Sequence, residues 1–350
     1  MRVFDYMTLK EKAWDSEIIN LVAQIHEYKG RQEVYLKQKP EELDKLVEVA
    51  KRQSTEASNE IEGIRTTRTR LKQLCEEKTT PRNRDEEEIL GYRDVLNTIY
   101  ESYEYIPIRS NYILQLHRDL YKYTEKSIGG QFKISQNIIA ATDENRREYA
   151  LFTPLAPYET PAAIDSICEN YNRMIEKEEL DAILLIPVFI HDFLCIHPFS
   201  DGNGRMSRLL TALLLYRSGY AVGRYISIES KIAKNKDLYY QALEDCQEGW
   251  HDNKEDVTPF VKYMLRIILA AYRDFEERIE LVSEKLSAKE MVKRAVYSKI
   301  GKITKRDIIE LCPSIGIKSV ELAMKQLVEK GTLIKKGSGR ATFYVRSDSE

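Results

Sequence analysis

The stretch His197-Pro198-Phe199-Ser200-Asp201-Gly202-Asn203-Gly204-Arg205, with Arg208 three residues on, constrains this chain more than any other. Directly after its glycines comes Met206 to Tyr216, apolar almost all round, a pattern that predicts a helix buried on every side. The polar groups are thereby gathered at that helix's N-terminal end, where free N–H groups and the helix dipole favour an anion. His197 titrates near neutrality in water and can serve as a base. Asp201 is a hard oxygen ligand suited to Mg²⁺. Gly202, Asn203 and Gly204 let the backbone approach a ligand closely and turn its N–H groups toward it. Arg205 and Arg208, three apart, share a helix face and suit two successive phosphates. Each part alone has an ordinary reading as a loop, a glycine turn or a solvated arginine. A calcium loop is excluded, because the D-x-D-x-D-G spacing and its closing Glu are absent. Together, in this order, the parts point to phosphoryl-transfer chemistry.

Upstream, residues 8–38 carry Leu9, Trp14, Ile18, Leu21, Val22 and Ile25 at helical spacing. Pro40 opens a further helix that runs through Ser58 and Glu62 and stops at Gly63, a natural C-terminal cap. Glu62 is an odd residue there, since a carboxylate near a helix C-terminus opposes the dipole. Residues 64–81 are polar and end in a break at Thr79-Thr80-Pro81; helices follow over 83–103, 108–124, 161–177 and 182–196. His117, among Ile113, Leu114, Leu116 and Leu120, reads as a packed core histidine. Between 134 and 161 the helical period fails. There, Ile138-Ile139-Ala140 and Tyr149 to Thr153 flank the charged turn 143–147 as a β-hairpin.

Length and composition fit this outline. At 350 residues the chain has room for two or three domains. Its 22 tyrosines against 15 glycines and 10 prolines favour long helices over a turn-rich strand fold. A net charge of −2 gives no global pull toward nucleic acid or membrane. The charge is uneven, however: residues 287–350 hold 14 Lys/Arg against 7 Asp/Glu. Five scattered cysteines with no CxxC pair suggest neither a disulfide framework nor a zinc site. The longest apolar run, Ala182 to Ile190, is nine residues and too short to span a bilayer. With no apolar signal core in Met1 to Tyr6, the expectation is a cytoplasmic protein with no membrane partner.

The 197–208 stretch resembles the Fic (Fic/Doc) family motif H-P-F-x-D-G-N-G-R-x-x-R at every specified position, and the resemblance extends over about residues 40–270. It implies a mainly α fold: a Fic-type helical bundle with a small β-hairpin flap. It also implies a protein adenylyltransferase that moves AMP from ATP to a Ser, Thr or Tyr hydroxyl of a target protein, with ATP as substrate and Mg²⁺ as cofactor. On that resemblance His197 is the catalytic base and Asp201 the metal ligand. Gly202, Asn203, Gly204, Arg205 and Arg208 bind the phosphates, while Tyr239, Tyr240 and Asn253 border the nucleotide. Ser58, Glu62 and Gly63 fit the family's inhibitory pattern Ser/Thr-x-x-x-Glu-Gly/Asn, in which Glu62 pairs with Arg208, expected as a bidentate ion pair. Leu151 and Phe152 would belong to the flap that holds a target's backbone. Lys133 stands where the family's G-x-F-R segment usually has Arg, and Leu194 where it often has Glu, so no role is carried to either.

The domains expected are therefore an N-terminal helical region, 1–105, carrying the inhibitory helix at about 41–63, a catalytic core, 106–285, and a module at 287–346. In that module, helices at 304–311 and 318–330 precede two β-rich runs around a glycine-rich basic turn, an order that resembles a winged helix. Lys318, Ser319 and Lys325 would point outward, and the sequence leaves DNA binding and protein docking equally open. It also leaves open a homodimer, a donor other than ATP, and a DNA-binding regulator whose Fic domain senses nucleotide.

Overall fold

The computed structural model describes residues 2–38, 40–125, 128–142, 148–283, 287–299, 301–312 and 315–347, and it is mainly helical. Two units emerge: residues 1–27 with 50–271, and residues 28–49 with 272–350.

The chain begins with a 3₁₀ turn, Tyr6–Lys10, and the long helices α1 (Ser16–Gln38) and α2 (Pro40–Ile61). Next come α3 (Arg68–Cys75) and α4 (Arg84–Ser102). α3 lies in the stretch that sequence marks only as polar. Its two leucines, Leu71 and Leu74, form a small cluster with Ile89 and Leu90 of α4, and Arg70 pairs with Glu86 at 2.6 Å. α5 (Ser110–Leu120) then packs closely on α4 at Gly91, where an added Cβ would run into the Leu120 carbonyl. Backbone cannot give way as a flexible side chain can. Gly91→Ala is therefore expected to destabilise the chain by roughly 1–3 kcal/mol, the usual range for overpacking. A lowered urea midpoint with an unchanged m-value checks this.

The hairpin β1 (Ile139–Thr142) and β2 (Glu148–Phe152) is antiparallel, with Ile139 opposite Phe152, Ala141 opposite Tyr149 and an irregularity after Ile139. Its expected turn, 143–147, lies outside the described residues.

α6 (Thr160–Glu176), α7 (Ala182–Ile196) and α8 (Asn203–Arg217) complete the centre. Every α7 residue from Ile183 to Ile196 is buried, and α8 is buried from Arg205 to Tyr216, as its apolar sequence requires. Pro187 sits inside α7, which the Asp181 carboxylate starts by accepting the Ile183 N–H at 2.9 Å. α9 (Ile228–Lys234), α10 (Lys236–Asp245) and α11 (Thr258–Ser283) follow.

In the second unit α12 (Ala288–Tyr297), α13 (Lys305–Leu311) and α14 (Ile317–Glu329) lead into β3 (Leu333–Lys336) and β4 (Phe343–Arg346), which pair antiparallel. Met291, Val292, Val296, Ile308, Val320 and Leu327 are among its buried core, and Ile303 bridges to Tyr344. On α14, Lys318, Ser319 and Lys325 are exposed, beside the equally exposed Ile317 and Leu322. Among the described residues no helix is long and apolar enough to cross a membrane.

Candidate active site

The site is the junction of α7 and α8. α7 ends at His197, which adopts a left-handed backbone, φ 50°, unusual for a residue with a side chain. Neighbouring groups hold it there. The backbone N–H of Lys133 donates to the Pro198 carbonyl at 2.8 Å, and Lys133 Nζ donates to the Ile196 carbonyl at 2.9 Å, so one residue brackets His197 on both sides. Burial pulls the Lys133 ammonium down to about 8. His197 Nδ1 lies 3.3 Å from the Leu194 carbonyl, which can only accept, so Nδ1 carries the hydrogen and Nε2 keeps its lone pair. Burial lowers the His197 pKa to about 4, with Lys133 adding to the fall and the Leu194 carbonyl, Glu62 and Asp201 opposing it. The ring is thus a neutral base at neutral pH.

The loop after it is stapled from within. Asn203 accepts the Phe199 N–H through Oδ1 at 2.9 Å and donates Nδ2 to the Phe199 carbonyl at 2.7 Å. Its side chain therefore shapes the loop, and what it can offer a phosphate is its backbone N–H. Gly202 has φ 83°, which a side chain would strain, and its N–H is donated to Asp201 Oδ1 at 2.7 Å. Of the three motif amides, the ones left free by this arrangement for an anion are those of Asn203 and Gly204, in the first turn of α8 where helix N–H groups lack internal acceptors.

His117 supports the same loop from below. Its ring lies flat on Phe199, centroids 3.6 Å apart, its Nε2–H donates to the Asp201 carbonyl at 3.0 Å, and Nδ1 accepts the Gly130 N–H at 3.0 Å. Both nitrogens are satisfied only in the neutral ring, and burial accordingly lowers its pKa to about 4. The reading of His117 as a core histidine holds, but sequence gave no sign that it braces the motif.

His197, Asp201, Gly202, Asn203, Gly204 and Arg205 line one cavity of about 280 Å³, joined by Glu62, Ile64, Arg84, Asp85, Glu88 and Ser200. Arg208 is not on its wall. α2 grips it instead: Arg208 Nη2 meets Glu62 Oε1 at 2.7 Å and the Ser58 carbonyl at 2.9 Å, and Nε donates to Ser58 Oγ at 2.8 Å. Glu62 engages through one oxygen, so the expected bidentate pair is replaced by a three-point grip shared with Ser58, one helical turn away. Gly63, φ 79°, closes α2 with the Ile64 N–H donating to the Asn59 carbonyl at 3.0 Å, and Lys236 Nζ reaches the Ile61 carbonyl at 2.7 Å. These contacts fix the helix end that carries Glu62.

Arg205 departs most from expectation. The two motif arginines do not present themselves together. Arg205 is 1% exposed, with Nη2 2.7 Å from Glu88 Oε2 and 2.7 Å from the Tyr121 hydroxyl. Glu88 and Tyr121 escape a sequence reading: Glu88 ends the run Asp85-Glu86-Glu87-Glu88, which looks like a solvated face.

The residues expected to border the nucleotide divide. Tyr239 is buried, its ring against those of Phe260 and Tyr263; Tyr240 is exposed with Lys236 over its ring. Asn253 is tied elsewhere, its amide bonded on both sides to the backbone of Val3. Of the flap pair, Leu151 is half-buried. Phe152 lies in the hairpin strand β2 with its side chain buried, stacked on His251 at 5.4 Å and edge-on to Trp250 at 5.8 Å.

No group of three or more metal-ligating side chains exists among the described residues. The donor chemistry still fits Mg²⁺, which commonly takes one or two carboxylates and completes its shell with water and substrate phosphates. Asp201, 43% exposed on the cavity wall, is such a carboxylate.

Three buried imidazoles give a pH prediction. His117, His191 and His197 all sit near 4, against about 6.5 in an unfolded chain. The unfolded state then binds up to three protons that the native state refuses. Stability is full above about 6.5 and falls as pH drops toward about 4. Urea midpoints between pH 7.5 and pH 4.5 check this, and a flat profile would contradict it.

Comparison with known proteins agrees with the geometry. Residues 107–215 match the family model described as Fic/DOC family. The protein adenylyltransferase Fic of Drosophila yakuba is 28% identical over 206 residues, 56% of this chain and 36% of that protein. The chain thus spans about a third of the length of such curated relatives. A Fic domain containing signaling protein from Bacteroides thetaiotaomicron superposes with a TM-score of 0.61 at 26% identity, over 76% of this chain and 97% of that one. A Fic family protein from Desulfovibrio desulfuricans G20 shares the fold over 97% of this chain and 98% of its own, with a TM-score of 0.64 at 19% identity. The chain carries a Fic/DOC family domain at residues 107–215, and its fold is that of Fic family proteins.

Proposed function

We propose that the chain is a protein adenylyltransferase that moves AMP from ATP to a hydroxyl side chain, and that Glu62 restrains it. The observation that carries this reading is convergence: His197, Asp201, the α8 N-terminus and Arg205 meet in one cavity, while α2 occupies the guanidinium of Arg208. In the reaction the target hydroxyl oxygen bonds to the α-phosphorus of ATP and its proton passes to His197 Nε2. The bond from the α-phosphorus to the bridging oxygen breaks, and pyrophosphate leaves. The N–H groups of Asn203 and Gly204, with the dipole of α8, stabilise negative charge on the phosphates. Asp201 would hold Mg²⁺ together with phosphate oxygens, and the ion would neutralise charge on the leaving group. Arg205 and, once released, Arg208 orient the β- and γ-phosphates for departure in line.

The charge that motivates DNA binding at 287–346 is offset on the outward face of α14. There Lys305 pairs with Glu321 at 2.7 Å, and Lys325 lies 3.8 Å from Glu329. That pattern gives a DNA-binding regulator no support beyond net charge. The test is intact-mass spectrometry after incubation with Mg²⁺, a mixture of nucleoside triphosphates and a cell extract as target source. Adenylyl adducts on the chain or on extract proteins support the reading; uridylyl adducts would move it to another donor, and phosphate adducts would overturn it.

A further inference from the structure

Two arginines stand on the cavity wall, Arg84 and Arg205, and one carboxylate touches both. Glu88, on α4, has a side chain only 2% exposed. Its Oε1 accepts the Arg84 Nε–H at 2.7 Å, and its Oε2 lies 2.7 Å from Arg205 Nη2. The two arginines differ in kind, since the Arg84 side chain is 64% exposed and that of Arg205 1%. On Arg205 both protein contacts, Glu88 and the Tyr121 hydroxyl, fall on the single nitrogen Nη2. Nε and Nη1 are buried without a protein hydrogen-bond partner. Leaving buried charged donors unsatisfied is costly, so a side chain that lines a cavity in this state calls for an anion there. Arg84, for its part, brings Nη2 to 3.8 Å from Asp201 Oδ2.

We propose that Glu88 is a positioning residue for the nucleotide's polyphosphate. By anchoring Nη2 it fixes the plane of the Arg205 guanidinium on the cavity wall, leaving Nε and Nη1 as the donors without a protein partner. By accepting from Arg84 it draws a second cation to the cavity beside Asp201. Groups that bind a ligand hold their geometry only when their own rotamers are locked by neighbours, and a shift of about 1 Å is enough to matter. One carboxylate locking two arginines, one on each oxygen, does this for both at once. The assignment rests on the reading of the cavity as a nucleotide site.

The test is equilibrium binding of ATP and of AMP to the full chain with Mg²⁺, comparing wild type with Glu88→Asp and Glu88→Gln. Aspartate keeps the charge but withdraws the carboxylate by one methylene, so it cannot reach both arginines. Affinity for ATP should fall about tenfold, equivalent to about 1.4 kcal/mol, while AMP, which lacks the outer phosphates, should stay within about twofold. Glutamine should act in the same direction. It leaves the buried Arg205 charge uncompensated and can prevent folding, in which case the aspartate variant decides. Equal losses for ATP and AMP would show a merely structural role and overturn the proposal, as would unchanged ATP affinity in the folded aspartate variant. A wild-type chain that binds neither nucleotide would overturn the nucleotide reading, and this assignment with it.

Discussion

Glu62→Gly should raise the rate of AMP transfer by roughly 10- to 150-fold, the equivalent of about 1.5–3 kcal/mol for a hydrogen bond between charged groups. Glu62 meets Arg208 through one oxygen at 2.7 Å, and its side chain is 32% exposed, so the restraint is a single charge-assisted contact rather than a sealed ion pair. Ser58 keeps two bonds to Arg208 and holds it near its place when Glu62 is gone. The Nη2 hydrogen that faced Glu62 is then available to a phosphate, while Nη2 keeps its bond to the Ser58 carbonyl. The size of the effect is bounded by that contact, because a switch can move only as far as the free-energy difference between its two states. Initial rates of label incorporation in the two proteins give the ratio directly, and equal rates would remove Glu62 from the regulatory account.

His197→Ala should have the larger effect in the opposite direction, a loss of roughly 10²- to 10⁴-fold, the usual contribution of a positioned base. ATP binding should survive, since on the proposed reading the α8 N-terminus and the arginines, not His197, would hold the phosphates. With burial lowering the imidazole's pKa to about 4, the acid limb of kcat/KM should lie well below the value of about 6.5 for a free histidine. A limb near 6.5 would show that another group sets the protonation state.

Much of this was legible in the chain. The apolar run after the glycines demanded a buried helix, and α8 is one. Pro40 and Gly63 marked the ends of α2 to within two residues. The helical periods placed α4 to α7 within about two residues at each N-terminus and four at the C-terminus of α5. What was lost is what depends on tertiary neighbours. α3 has two leucines in eight residues, too little apolar period to announce itself, and forms because Ile89 and Leu90 receive them.

The two motif arginines look equivalent in sequence. They differ in the structure because Glu88, 117 positions before Arg205, seals one and Glu62 holds the other. Asn203 reads as a ligand residue, yet its side chain is spent on Phe199. Phe152 lies in the hairpin as the sequence reading placed it, but the inward turn of its side chain to Trp250, set by alternation along β2, depends on that tertiary neighbour. Lys133 illustrates the reverse error. Its departure from the family's arginine argued for silence, and it proves to be the residue that brackets His197.

On the proposed function the cavity would orient ATP for attack at the α-phosphorus, with Glu62 limiting the yield. Wild type, Glu62→Gly and the double variant Glu62→Gly/His197→Ala should each receive ATP labelled at the α- or the γ-phosphate, with Mg²⁺ and a cell extract. Protein-bound label is expected from α-labelled ATP alone, much stronger in Glu62→Gly and lost in the double variant. Label transferred from the γ-phosphate would contradict it, because it would require the nucleotide to lie reversed in the cavity.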